Sequence, residues 1–315
     1  MSAPNRRVHH SPTAEVHDDQ RRRLFDDAFL RTLEAFRFAP RSSLTGLASG
    51  QRRSPAFGSS VEFADYRTYT PGDDYRRIDW NAYARLERLF LRRYRADENL
   101  ALSIVLDASA SMSWGEPPKA RCAAQIAGAL TFVGLRSEDA VSLLACRSGV
   151  VADSRARLSG QVGVFEAWRF LERLSFEGDT DLDASLTAYA RRIHGRGMAL
   201  IISDLLSPAG FQKGVDALLG AGQEVVLLHV LAPDELNPPA DMVGDWRLVD
   251  AERGDGLDVS ITLRLIASYR EKLKRYLDEI VAYSRRRGIT HILMSSDVDL
   301  REVLVRTLRQ AGVLA

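Results

Sequence analysis

From residue 100 to the C-terminus the chain alternates between two hydrophobic patterns. One is the short, nearly unbroken apolar run: ALSIVLD at 101–107, a run at 140–146, MALIISD at 198–204, EVVLLHVL at 224–231 and THILMSS at 290–296. The other is the longer segment at 119–135, 162–174, 181–193, 211–219, 262–287 and 300–310, where polar positions interleave with apolar ones. Unbroken runs of this length predict strands covered on both faces, and the longer segments predict helices. Their alternation predicts an α/β fold, a mostly parallel sheet with helices on both sides. The segment WRLVDAE at 246–252 is expected to be an edge strand or part of a hairpin.

The first hundred residues read differently. Residues 1–20 are polar and aperiodic, with Pro4 and Pro12, and are expected to form a disordered tail. Residues 21–38 place Phe25, Phe29, Leu33 and Phe36 at helical spacing with Leu30 beside them, which predicts an amphipathic helix docked on its own domain. Residues 39–60 are rich in Gly, Ser and Arg and read as a linker or exposed loop. Alternation in VEFADYRTY and LERLFLRRY predicts two short strands, with Pro71-Gly72 marking a turn between them. The expected organisation is a tail at 1–20, an N-terminal helix with a small β segment at 21–98, and the α/β domain at 99–315.

Composition narrows the class without naming a partner. With 315 residues, 45% of them hydrophobic and 27% charged, the chain can bury a large core. A net charge of +1 points to neither nucleic acid nor a membrane surface. Two cysteines, Cys122 and Cys146, form no CxxC pair and read as buried thiols in a reducing cytosol. No apolar stretch approaches the roughly 18–20 residues of a spanning helix, and the N-terminus has no apolar signal core. The expectation is a cytoplasmic protein without a transmembrane segment.

Chemistry concentrates at strand ends. Asp107 closes the first core strand and Asp204 closes MALIISD, so a parallel sheet carries both to one rim, where ligands gather in such folds. A buried carboxylate is costly without a partner. The sequence LDASASM places hydroxyls at Ser109 and Ser111, and EGDTDLDASL offers Thr180 just before a helix that begins near Asp181. Carboxylates and hydroxyls are the donors a hard cation such as Mg²⁺ takes. A simpler role for the serines is to cap the next helix or tighten the turn, and Asp181 reads as an N-terminal charge for its own helix.

The set Asp107, Ser109, Ser111, Thr180 and Asp204 resembles the metal-ion-dependent adhesion site of von Willebrand factor A domains, whose pattern is Asp-x-Ser-x-Ser, a later Thr and a later Asp. The resemblance implies a von Willebrand factor A-like sheet, a bound Mg²⁺ or Mn²⁺, and an open coordination position that a partner's acidic residue fills. A second signature precedes the domain. Glu62, Phe63, Asp65–Arg67, Tyr69, Pro71–Asp74, Arg76, Ile78–Trp80 and Tyr83–Arg85 resemble the bacterial family catalogued as domain of unknown function 58, from about residue 41 to the C-terminus. Read by their own chemistry, these residues form a mixed-charge segment that pairs internally around one aromatic anchor, with no strong nucleic-acid interface.

The family resemblance implies a partner, a MoxR-type AAA+ ATPase, and the role of an adaptor or chaperone-like module acting with it on a client protein. Two other functions are open at this point. A metal-dependent phosphohydrolase would use Asp107 as nucleophile, but would want a second acid and a rim lysine. The chain has only Lys119, Lys213, Lys272 and Lys274, with none evidently on the rim. A scaffold whose rim binds no metal is the other. The reading favoured here is a non-enzymatic, metal-dependent interaction module.

Overall fold

The computed structural model describes residues 25, 27–39, 62–68, 80, 83, 88–95, 100–239, 242–250 and 256–315. The chain divides into two compact units, one drawn from Met1–Leu44 with Leu100–Ala315 and the other from Thr45–Asn99.

The larger unit is built on a six-stranded sheet. Its strands are β3 (Ala101–Asp107), β4 (Ala140–Arg147), β5 (Val150–Leu158), β6 (Gly197–Ser203), β7 (Gln223–Leu231) and β10 (Thr290–Ser295), in the order β10-β7-β6-β3-β4-β5. All neighbours are parallel except β5, which runs antiparallel to β4 at the edge. The unbroken apolar runs have a direct cause. Leu102, Ile104 and Leu106 face one core with Leu143, Leu200 and Leu228, while Val105 faces a second core with Leu144, Ile201 and Leu227. Alternate residues go to opposite faces, so a strand covered on both sides has no polar face to show.

Helices supply the two covers. Lys119–Arg136 and Gly160–Arg173 contribute to the first core, and Leu182–Ala190, Gln212–Gly220 and Leu263–Arg287 to the second. Asp181 caps the Leu182 helix, its Oδ1 accepting the Ala184 N–H at 2.9 Å, which matches the role its sequence position suggested. Thr262 caps the long helix in the same way, and Gly288 ends it in the left-handed conformation at φ 68°. A helix at Asp27–Leu33, placed with the N-terminal segment in the sequence, packs Phe29 and Leu33 into the first core with Phe25, Phe36 and Phe38. Phe38 also bridges to Leu314. Both cysteines are free and buried. Burial first pushes their thiols up, to about 11 for Cys122 and about 12 for Cys146.

Three elements depart from the sequence reading. Strand β5 was not foreseen: most of VVADSRARL is exposed, so its hydrophobic pattern is weak. The 246–252 segment is one arm of a separate hairpin, β8 (Gly244–Val249) with β9 (Gly256–Ile261), and not an edge of the main sheet. The C-terminal helix changes from an α-turn at Leu300–Glu302 to a wider π-turn over Val303–Leu308. In the smaller unit β1 (Glu62–Thr68) pairs antiparallel with β2 (Phe90–Arg95). The tail, the Pro71-Gly72 turn and most of the mixed-charge segment lie outside the described residues. Of that segment, Trp80 and Tyr83 are exposed and meet edge to face at 6.2 Å.

At the rim opposite the candidate site, Asp139 ties the start of β3 to β4, its Oδ1 accepting the Leu100 N–H at 2.9 Å. Burial pushes its pKa up to about 6 from 3.8, against the hydrogen bond. The folded state therefore holds this proton more tightly than the unfolded chain. The contribution to stability is complete below about pH 4 and is lost as pH rises through about 6. Asp139→Asn keeps the acceptor and removes the titration. Urea midpoints measured from pH 4 to 7 are expected to fall less steeply in the variant than in the parent, and identical slopes would refute the assignment.

Candidate functional site

The site lies where the sheet order changes direction. The chain leaves β3 to build β4 and β5 on one side, then returns to place β6 on the other. The carboxyl ends of β3 and β6 thus flank a crevice of the kind that receives ligands in open α/β sheets. Asp107 is the last residue of β3, and Asp204 directly follows β6.

Backbone bonds stitch the loops together. Ala108 N–H donates to Cys146 O at 2.8 Å, Glu177 N–H to Ala108 O at 3.0 Å and Ala110 N–H to Gly178 O at 2.9 Å. These bonds hold the Asp-x-Ser-x-Ser loop against the 177–180 loop, which carries Thr180 to the site. Beyond Asp204 the chain turns sharply at Leu205, a buried residue at φ 55°. A leucine in the left-handed region is strained. The turn is held by Leu205 N–H donating to Ser203 Oγ at 2.9 Å and by the Tyr276 hydroxyl donating to Leu205 O.

All five sequence-derived residues come together. Asp107 Oδ1 accepts the Ser109 N–H at 3.0 Å, and Oδ2 accepts Ser203 Oγ at 2.6 Å and, more loosely, Thr180 Oγ1 at 3.5 Å. The Ser109 and Ser111 hydroxyls are 3.1 Å apart, and Ser111 Oγ donates to Asp204 Oδ2 at 2.9 Å. Ser109 precedes the short 3₁₀ turn Ala110–Ser113 but makes no side-chain capping bond, so capping does not account for it. Ser111 is half-buried and opens the cluster to solvent, while Trp114 and Leu206 nearby in the two loops are exposed.

Lys119, Glu235 and Ser203 complete the site and were not read from the sequence as part of it. Lys119 Nζ donates to Asp204 Oδ2 at 2.8 Å and to Glu235 Oε1 at 2.7 Å, with the lysine side chain almost wholly buried. The expectation that no lysine lies on the rim is therefore corrected. Burial alone would lower the Lys119 pKa, but Asp204 and then Glu235 outweigh it and hold it above the ordinary lysine range. A signal was present in PPKARCAAQIAG: a lysine in the first turn of an apolar helix opposes the helix dipole and calls for a carboxylate. His229, from β7, adds no charge, because burial first and His291 second push its pKa down to about 3.

The donor set suits a hard divalent ion in type: two carboxylates and three hydroxyls, all oxygen. Among the described residues no group of three or more His, Cys, Asp and Glu side chains is placed to hold a metal. Charge also bears on the fit. Asp204 and Glu235 share the Lys119 ammonium, and Asp107 adds a third acidic side chain to the cluster. Burial first and the Asp204 carboxylate second push the Asp107 pKa upward.

Fold and site together define a mostly parallel α/β domain with an oxygen-rich side-chain cluster at the switch point of its sheet. The chain belongs to the DUF58 family of proteins of unknown function, whose model matches residues 65–279. Uncharacterized proteins of Mycobacterium bovis and Mycobacterium tuberculosis are 29% identical over 294 residues, covering 91% of this chain and 91% of each relative. An uncharacterized protein of Mycobacterium avium is 31% identical over 137 residues, 43% of this chain and 79% of its own. Among solved structures, the conserved hypothetical protein BatB from Bacteroides thetaiotaomicron aligns with a TM-score of 0.43 at 16% identity, over 68% of this chain and 98% of that one. Among the described residues no helix is long and apolar enough to cross a membrane.

Proposed function

We propose that this protein is a non-enzymatic protein-interaction module with a von Willebrand factor A-like domain, which binds a partner's carboxylate through a Mg²⁺ or Mn²⁺ ion at the sheet rim. Asp107, Ser109, Ser111, Thr180 and Asp204 would hold the ion, directly or through water. The observation that carries this reading is the chain of contacts, at 2.9–3.1 Å among Asp107, Ser109, Ser111 and Asp204 and looser to Thr180 at 3.5 Å, that joins all five across three separate loops. Exposed Trp114 and Leu206 lie in the loops that carry Ser111 and Asp204. The proposed partner is a MoxR-type AAA+ ATPase, with this protein serving in the cytoplasm as an adaptor or chaperone-like factor toward a client.

A phosphohydrolase is less favoured. Lys119, the lysine such an enzyme would want on the rim, is enclosed between two carboxylates with its side chain buried. A rim that binds no metal is supported by the Lys119 ammonium already seated against Asp204 and by the protein donors that already engage both Asp107 oxygens.

Binding to the purified MoxR-type ATPase of the same cell, measured by biolayer interferometry, tests the proposal. Association is expected in Mg²⁺ and lost in EDTA. Because chelation also strips the ATPase of its own Mg²⁺, Asp107→Ala in Mg²⁺ is the deciding arm. Undiminished binding by that variant would refute the metal-bridged reading.

A further inference from the structure

We infer that Lys119 is a resident cation of the rim, and that a divalent ion entering the site competes with it for Asp204. The inference rests on the cation reading of the rim and adds a residue that sets the site's affinity.

Three observations carry it. First, Lys119 is placed against ordinary preferences. It occupies the first turn of the Lys119–Arg136 helix, at the positive end of the dipole, with no acidic residue in that turn and a buried face that is otherwise apolar except for Thr131. Only strong local partners keep an ammonium there. Secondly, the partner atom is the one the metal site would use. Asp204 Oδ1 is taken by the Leu206 N–H at 3.0 Å, whereas Oδ2 accepts both Ser111 Oγ at 2.9 Å and Lys119 Nζ at 2.8 Å. Oδ2 is therefore the oxygen that faces the Ser111 hydroxyl, and its charge is already shared with an ammonium. An oxygen so engaged is a poorer ligand, and the neighbouring positive charge repels an incoming cation. Thirdly, Lys119 has somewhere to go. Glu235 Oε1 already accepts from it at 2.7 Å, and Glu235 is fixed by the Ala232 N–H donating to Oε2 at 2.7 Å.

When a divalent ion takes Oδ2, the ammonium shifts its bonding to Glu235. The exchange links the rim to the turn Pro233–Leu236, and through the Tyr269 hydroxyl, which donates to Glu235 O at 2.9 Å, to the long Leu263–Arg287 helix. The site would thus sense a divalent ion by displacement of an internal one, holding its affinity below that of an open oxygen cage.

Titration of MgCl₂ into the full chain, followed both by calorimetry and by the rise in Tm, tests this in the parent, in Lys119→Met and in Lys119→Met/Glu235→Gln. The double variant removes the second carboxylate together with the ammonium, so the test survives if the single variant folds poorly. Mg²⁺ binding at least tenfold tighter in whichever variant folds, with a larger Tm rise than in the parent, is expected. Equal or weaker affinity in a variant whose parent binds Mg²⁺ would overturn the role of Lys119 and leave the metal site standing. No binding and no Tm rise in any of the three proteins would overturn both.

Discussion

Asp107→Ala is expected to abolish Mg²⁺ binding outright. Asp107 touches two of the three loops and the end of β6 at once, through Ser109, Thr180 and Ser203. Its removal takes away a formal charge and the anchor of the Asp-x-Ser-x-Ser turn together. Asp107→Asn separates the two effects. The amide keeps the shape and one acceptor oxygen, but loses the charge a hard cation requires. Calorimetry should therefore give no measurable binding in either variant, while circular dichroism shows the asparagine variant folded. Unchanged affinity in a folded Asp107→Asn protein would dismiss the site as a metal centre.

Loss of the Lys119 ammonium is expected to have the largest effect on stability. Lys119→Met leaves Asp204, fully buried, and Glu235, mostly buried, facing each other without their cation. Breaking one side of a buried ion pair costs about 3–5 kcal/mol. For a domain of this size that corresponds to a fall in Tm of roughly 10 °C. Glu235→Gln in the same chain should recover part of the loss, because it removes one of the stranded charges. Scanning calorimetry in EDTA measures both, and a single-variant loss below about 1 kcal/mol would mean that the pair contributes little.

These two residues differ in how visible they were before the fold was known. Asp107, Ser109 and Ser111 lie within five positions and carry their chemistry on their face. Thr180 and Asp204 could be added because strand ends of a parallel sheet share a rim. Lys119 lies twelve positions beyond Asp107 at the start of a helix, and its partner Glu235 follows a different strand. Nothing local announces that those two meet. Only the order β7-β6-β3 brings the ends of three strands side by side.

The same contrast runs through the fold. Strands β3, β6 and β7 were legible because burial on both faces leaves an unbroken apolar run. Strand β5 was hidden because it lies at the edge with most of its side chains in water, so its place is set by pairing with β4 and not by its own hydrophobicity. The helix at Asp27–Leu33 was visible from its aromatic spacing, but its destination in the sheet's first core was not, because spacing defines a face and says nothing of what covers it. Ser203 was missed for a simpler reason. A serine before an aspartate at a strand end looks like ordinary punctuation, whereas it donates to Asp107 at 2.6 Å.

The central claim is that five oxygen-bearing side chains enclose one divalent cation. Crystals grown in Mn²⁺ and measured at the manganese absorption edge test it most directly. The account predicts an anomalous peak bounded by Asp107, Ser109, Ser111, Thr180 and Asp204, with Lys119 turned toward Glu235. An ordinary water at that position, with Lys119 still bonded to Asp204 in saturating Mn²⁺, would contradict it.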